Sequence, residues 1–181
     1  MHFMTGLELA CRQDNGIALI REHEILTQAP ERTRNSREPL RLSVPGLSNQ
    51  IGVSSVVADA LFGLSFADGT AAYFLLELDR GSMPVTRSRF DQTSFKRKLK
   101  VYWEAWKAGS HVEHFGLRQI RVLTVTDSAS RCDNMVQAVH EITGGKGSNF
   151  FLFAERSRFY GRSPAEAWWT TGKGEMVRLT D

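Results

Sequence analysis

The stretch that decides the fold is Val56-Val57-Ala58-Asp59-Ala60-Leu61-Phe62, followed by Phe66-Ala67-Asp68-Gly69-Thr70 and then Ala71-Ala72-Tyr73-Phe74-Leu75-Leu76-Glu77-Leu78-Asp79. Two runs of strand-favouring residues flank a turn, and each carries carboxylates among apolar neighbours. Burying such charges is costly unless something compensates them. Asp68-Gly69 fits a three-residue loop, a type I turn closed by a glycine bulge, because Gly69 stands where φ must be positive. That register pairs Phe66 with Thr70 and sets Asp59 directly opposite Glu77, with Cβ atoms roughly 5 Å apart. Asp79 shares their face by the period of two. The opposite face collects Ala58, Ala60, Phe62, Phe74, Leu76 and Leu78, all apolar. A two-residue loop would set Asp59 against Leu78 and mix the faces, the usual penalty of a one-residue slip.

Beyond the hairpin, Gly81 and Pro84 mark a loop, and a helix is expected from about Phe90. Phe95, Leu99, Tyr102, Trp103 and Trp106 fall at i, i+4, i+7, i+8 and i+11, an apolar stripe that packs the helix on a sheet. Lys96, Arg97, Lys100 and Lys107 lie on the outward side. Lys98 borders the stripe beside Tyr102, so it is the lysine placed to lean towards the carboxylates.

The same segment is the basic part of the chain. Arg80, Arg87, Arg89, Lys96, Arg97, Lys98, Lys100 and Lys107 face only Asp91 and Glu104 there, whereas the whole chain carries a net +3. A local positive field of this kind suits a polyanionic partner, DNA above all, with Arg80, Arg87, Arg89, Lys96, Arg97 and Lys100 as phosphate contacts. Solvated helix faces have the same composition.

Upstream, Phe3, Leu7, Ala10 and Cys11 recur at helical spacing until Asp14-Asn15-Gly16. Ile17 to Leu26 reads as a strand. Thr27 to Gln50 is polar, rich in Arg, Ser and Pro, and reads as an irregular insertion. Arg32, Arg34, Arg37 and Arg41 in it are within reach of a phosphate backbone or are solvated charge. Downstream, Gln119 to Thr126 reads as an interior strand, Ser130 to Ile142 as a helix ended by Gly144-Gly145, and Phe150 to Ala154 as a short strand. Trp168 and Trp169 are expected to cover an edge of the core. His111-Val112-Glu113-His114 lacks the spacing of a zinc protease or a deaminase and reads as loop histidines. Gly144 to Ser148 lacks the first glycine of a phosphate loop and reads as a turn.

At 181 residues, with 41% hydrophobic and 24% charged residues, the chain suits one well-buried domain spanning 1–181. No apolar run approaches the roughly 18 residues of a membrane span, and no secretory leader is evident. Two cysteines, Cys11 and Cys132, make neither a disulfide framework nor a zinc site, so a cytoplasmic protein is expected.

The order of elements implies an α/β fold, a mixed β-sheet flanked by helices. It resembles the restriction-endonuclease-like fold, whose sites read P-D, a spacer, then (D/E)-x-K. Val57-Ala58-Asp59-Ala60-Leu61-Phe62, Phe74-Leu75-Leu76-Glu77-Leu78-Asp79-Arg80-Gly81-Ser82 and Lys98-Leu99-Lys100-Val101-Tyr102 resemble more narrowly the plasmid replication-relaxation family, with its P-D-A, E-x-D-R-G-T and K-L-x-x-Y. Ala58 replaces the proline, and Asp79 stands where active nucleases of this fold keep a lysine; Lys98 would supply that charge instead. The family's upstream winged-helix segment is not among these residues. The resemblance implies a DNA-associated protein of a plasmid or mobile element that works with replication or mobilisation proteins. Asp59, Glu77 and Asp79 are the candidate ligands for Mg²⁺ or Mn²⁺, and with Lys98 the candidate catalytic residues for phosphodiester hydrolysis. Glu8 is a possible extra ligand by analogy with the fold. The alternative is a catalytically inactive nuclease-fold domain that binds DNA or docks proteins.

Overall fold

A computed structural model describes residues 3–13, 16–44, 46–47, 54–81, 95–159 and 163–180. In chain order the elements are α1 (Phe3–Gln13), β1 (Ile17–Ile20), α2 (Glu22–Gln28), α3 (Glu31–Arg34), β2 (Arg41–Ser43), β3 (Ser55–Val57), β4 (Ala60–Phe66) and β5 (Ala71–Leu78). There follow α4 (Phe95–Lys107), α5 (Ser110–Phe115), β6 (Arg121–Thr126), α6 (Ala129–Ile142), β7 (Phe151–Glu155), a 3-10 turn (Arg156–Phe159), β8 (Trp169–Thr171) and β9 (Met176–Val177).

The main sheet runs β1-β4-β5-β6-β7-β8-β9, and β2 and β3 form a separate antiparallel pair. β5, β6 and β7 are mutually parallel, and the remaining pairings are antiparallel. The sheet is therefore mixed, as the alternation of strands and helices implied. Its parallel centre is buried on both faces, which is why β6 and β7 read as nearly continuous apolar runs. One face carries Leu61, Leu75, Val122, Phe151 and Phe153 against Leu99 and Tyr102 of α4 and Met135 and Val139 of α6. The other carries Phe62, Phe74, Leu76, Leu123 and Leu152 against Phe3 and Leu7 of α1 and against Trp169 and Leu179.

The central hairpin has the bulged register. Ala60 pairs with Leu76 and Ser65 with Ala71. The Phe66 amide donates to the Thr70 carbonyl at 2.9 Å, and Gly69, at φ 82°, donates to the Phe66 carbonyl at 3.0 Å. The Asp68 carboxylate accepts from the Thr70 amide at 2.9 Å and its hydroxyl at 2.7 Å, which fixes the loop.

Several expectations are corrected. Ile17 to Leu26 is not one strand: at Arg21 the chain turns into α2, where the Glu24 carboxylate accepts the Arg21 amide at 2.7 Å. The 27–50 stretch is not wholly irregular, since α3 and β2 form within it. Asp59 lies at a bend rather than inside a strand, because β3 leaves the main sheet to pair with β2 while β4 joins β1 and β5. Ala58, on the far side of that bend, packs with the α4 cluster and not with Ala60 and Phe62. His111 and His114 sit in a short helix, not a loop. Pro84, Arg87, Arg89 and the expected helix start near Phe90 lie outside the described residues. No helix among the described residues is long and apolar enough to cross a membrane.

Candidate functional site

The hairpin turn and α4 together build the site. The paired residues of β4 and β5 end at Ala60 opposite Leu76; Asp59, at the bend beyond, donates its amide to that Leu76 carbonyl at 2.9 Å instead of continuing the ladder to Glu77, but its charge is close enough to act on Glu77. The Asp59 side chain is exposed, with Oδ2 accepting the Leu78 amide at 2.7 Å. Glu77 is only 2% exposed. Its Oε2 accepts Lys98 Nζ at 2.6 Å and its Oε1 accepts the Tyr102 hydroxyl at 2.6 Å. Lys98 and Tyr102 are one turn apart on α4, so one helix face delivers both donors to one carboxylate.

Burial raises the Glu77 carboxyl above the usual glutamate value, and the pull of Lys98 and Tyr102 the other way does not cancel it; nearby Asp59 adds to the rise. Burial, reinforced by Glu77, holds the Tyr102 phenol well above its ordinary value, so it stays protonated and donates. Thr124 lies in register with Glu77 on β6, its hydroxyl buried without a partner among the described residues.

Asp79 continues the same face but belongs to a second cluster. It accepts the Thr126 hydroxyl at 2.7 Å and Arg131 Nη2 at 2.9 Å, with Arg131 Nε on its other oxygen. Burial pushes its carboxyl up, but the bonds from Arg131 and Thr126 outweigh this and leave it below the usual aspartate value. Arg131, from α6, was not among the residues singled out in the sequence. It stands 52 residues from Asp79, and no local pattern reports so distant a pairing. Tyr102 was legible only as part of the apolar stripe, because periodicity says which face a residue joins and not what its hydroxyl meets.

Among the described residues no group of three or more His, Cys, Asp or Glu side chains is placed to hold a metal ion. Asp59 offers a hard oxygen donor open to solvent, whereas both Glu77 oxygens are taken by Lys98 and Tyr102, so an ion shared by the two would displace one of those bonds. Asp79, with both oxygens engaged by Arg131 and Thr126, does not join them. Glu8 is on α1, the helix of the opposite face, and pairs with Arg12 and Arg21. Cys132 is buried, its thiol pushed up to about 11 chiefly by burial, and is no nucleophile.

The basic face of α4 is largely committed within the protein. Lys96 pairs with Glu141, and Lys100 and Lys107 both pair with Glu104. Arg97 does not point outward as its helical position suggested: it is 8% exposed, in a helix flanked by other elements on more than its apolar stripe. Arg80 is exposed at the end of β5. Compared with models of known families, with curated proteins and with solved structures, the chain shows no match.

Proposed function

We propose that this chain is a DNA-associated domain of a plasmid or mobile element, of the replication-relaxation kind, with a restriction-endonuclease-like core. Asp59, Glu77 and Lys98 then serve metal-assisted hydrolysis of a phosphodiester, by nicking or cleavage. The observation that carries this reading is the convergence of Lys98 on Glu77, with the Asp59 carboxylate near enough to act on the same glutamate. Glu77 of β5 and Lys98 of α4 thus pair near Asp59, which stands at the bend before β4.

Asp59 and Glu77 would hold Mg²⁺ or Mn²⁺. Such an ion polarises the phosphate and lowers the pKa of an attacking water. Lys98 would offset charge on the phosphate oxygens, and Tyr102 orients Glu77 by its hydrogen bond. The raised Glu77 carboxyl supports the reading, since a cation at this position relieves the cost of ionising it beside Asp59.

A second reading, a non-catalytic module for DNA binding or protein docking, is favoured by the cations already present: Lys98 on Glu77 and Arg131 on Asp79. Glu77 and Asp79 each have a counter-charge without a metal. Melting scans with and without Mn²⁺, beside a plasmid-nicking assay, separate the two on the parent, Asp59→Ala and Glu77→Ala. Nicking that requires Mn²⁺ and is absent from both variants supports the nuclease. A parent that neither gains stability from Mn²⁺ nor nicks leaves the binding module.

A further inference from the structure

We propose that a cavity between β2 and α5 takes a phosphate group of a nucleic-acid backbone. The cavity, of about 480 Å³, opens where the segment after α3, strand β2 and helix α5 meet. Arg32, Arg37 and Arg41 line it from one side, and Glu113 and His114 from the other.

Its cations are not equivalent. Arg41 is a fixed wall: Glu38 accepts from it twice, both at 2.8 Å, and a further donor reaches the Ser55 hydroxyl at 2.8 Å. Arg32 and Arg37 are exposed and have no ion pair or side-chain hydrogen bond among the described residues. Two guanidiniums are thus left to meet an anion, and the planar fork of each suits phosphate oxygens. The lysines of α4 differ, each already answering a glutamate.

The walls are tied to one another across the opening. The Thr33 hydroxyl donates to the His114 carbonyl, and His114 Nε2 donates to the Pro39 carbonyl at 2.7 Å. A cavity braced in this way loses little freedom when a ligand enters.

Its position joins it to the candidate site. Arg41 pairs with Val57, and the Ala58 amide donates to the Leu40 carbonyl, so β2, which lines the cavity, is paired with the strand that leads into Asp59. Adjacent strands lie about 5 Å apart. Leu40, Leu42, Val56 and Ala58 belong to the same core cluster as Leu99 and Tyr102, which puts the β2 and β3 pair on the Lys98 side of the main sheet. The cavity and the candidate site therefore share the α4 side of the main sheet. The nucleic-acid source of the phosphate rests on the proposed DNA association; the anion preference of the cavity does not.

Binding of a short labelled DNA duplex, followed against salt, tests this on the parent, Arg32→Gln/Arg37→Gln, Glu113→Gln and a charge-matched control, Lys146→Gln/Lys173→Gln. Melting scans confirm folding, and all of these side chains are exposed. The arginine double variant should bind roughly tenfold or more weakly at low salt and lose roughly 1 to 2 from the slope of log affinity against log salt, at about 0.9 per phosphate contact. Glu113→Gln should tighten binding, and the control should change neither quantity comparably. A parent that binds DNA with a double variant matching the control overturns the site and leaves DNA association standing. A parent that binds no DNA at low salt overturns the nucleic-acid occupant together with the functional reading. Pyrophosphate titration, if its binding is then lost in the double variant, reassigns the cavity to a small phosphate ligand.

Discussion

Lys98 Nζ stands 2.6 Å from Oε2 of Glu77, bringing the charge of one helix to a strand carboxylate that is 98% removed from solvent at the side chain level, while one third of the lysine's own side chain stays accessible. The pair is asymmetric: the acid depends on the base more than the base on the acid. Lys98→Met should therefore cost about 1–3 kcal/mol of stability in urea unfolding, less than for a wholly buried pair because of that accessibility. The cost should vary with pH. Burial raises the folded Glu77 carboxyl above its ordinary 4.5. In the window above 4.5 the unfolded chain releases this proton first, so stability falls as pH climbs through the folded value. Without Lys98 the rise is larger, and the variant's deficit should widen from pH 4.5 upwards. An equal deficit at acid and neutral pH would contradict this account.

Asp79 has the opposite sign. Its carboxyl is held below the ordinary 3.8, so its share of stability is present above 3.8 and is lost as pH falls through the lowered value. Asp79→Asn should flatten the acid limb of the stability profile. Arg131→Met leaves the carboxylate buried with Thr126 as its remaining side-chain donor and should cost about 3 kcal/mol or more. A loss no greater than that of Lys107→Met, on an exposed pair, would show that the Arg131 bridge contributes little.

Gly69 closes the hairpin at φ 82°, and a Cβ there would meet nothing within 4 Å. Gly69→Ala should cost about 1–2 kcal/mol from backbone strain alone, and Gly69→Asn less, since asparagine tolerates this region. Chemical denaturation of the two variants measures the difference. Equal costs would point to lost packing instead.

Asp59 and Glu77 should separate stability from function. Asp59 is exposed and gives up one hydrogen bond, to the Leu78 amide, so Asp59→Ala should cost only about 0.5–1.5 kcal/mol. Under the proposed function it should nonetheless abolish both the rise in melting temperature with Mn²⁺ and Mn²⁺-dependent nicking. Persistence of both in folded Asp59→Ala would remove this residue from the site.

The parts of the site that were legible share a property: each follows from local geometry. Turn chemistry at Gly69 sets the register of β4 and β5 as far as Ala60 opposite Leu76; the pairing of Asp59 with Glu77 that it implied stops at the bend. Helical periodicity puts Lys98 at the border of the α4 stripe, within reach of the sheet. The misreadings occur where a neighbour distant in sequence intervenes. Arg97 looked outward on an isolated helix. Ile17 to Leu26 looked like one strand because apolar residues continue through Ile25, which is buried on α2 instead.

By itself, then, the sequence determined the central hairpin, its register, the apolar faces of α4 and α6 and the two parallel strands that follow, because turn strain and side-chain periodicity act over a few residues. Only the tertiary structure decided the partners of the charges: Arg131 on Asp79, Tyr102 on Glu77, and β2 against β3 beside Asp59. Those contacts join residues 12 to 52 positions apart. Their formation depends on which elements the core has already brought together, since a buried carboxylate takes whichever donor packing places against it.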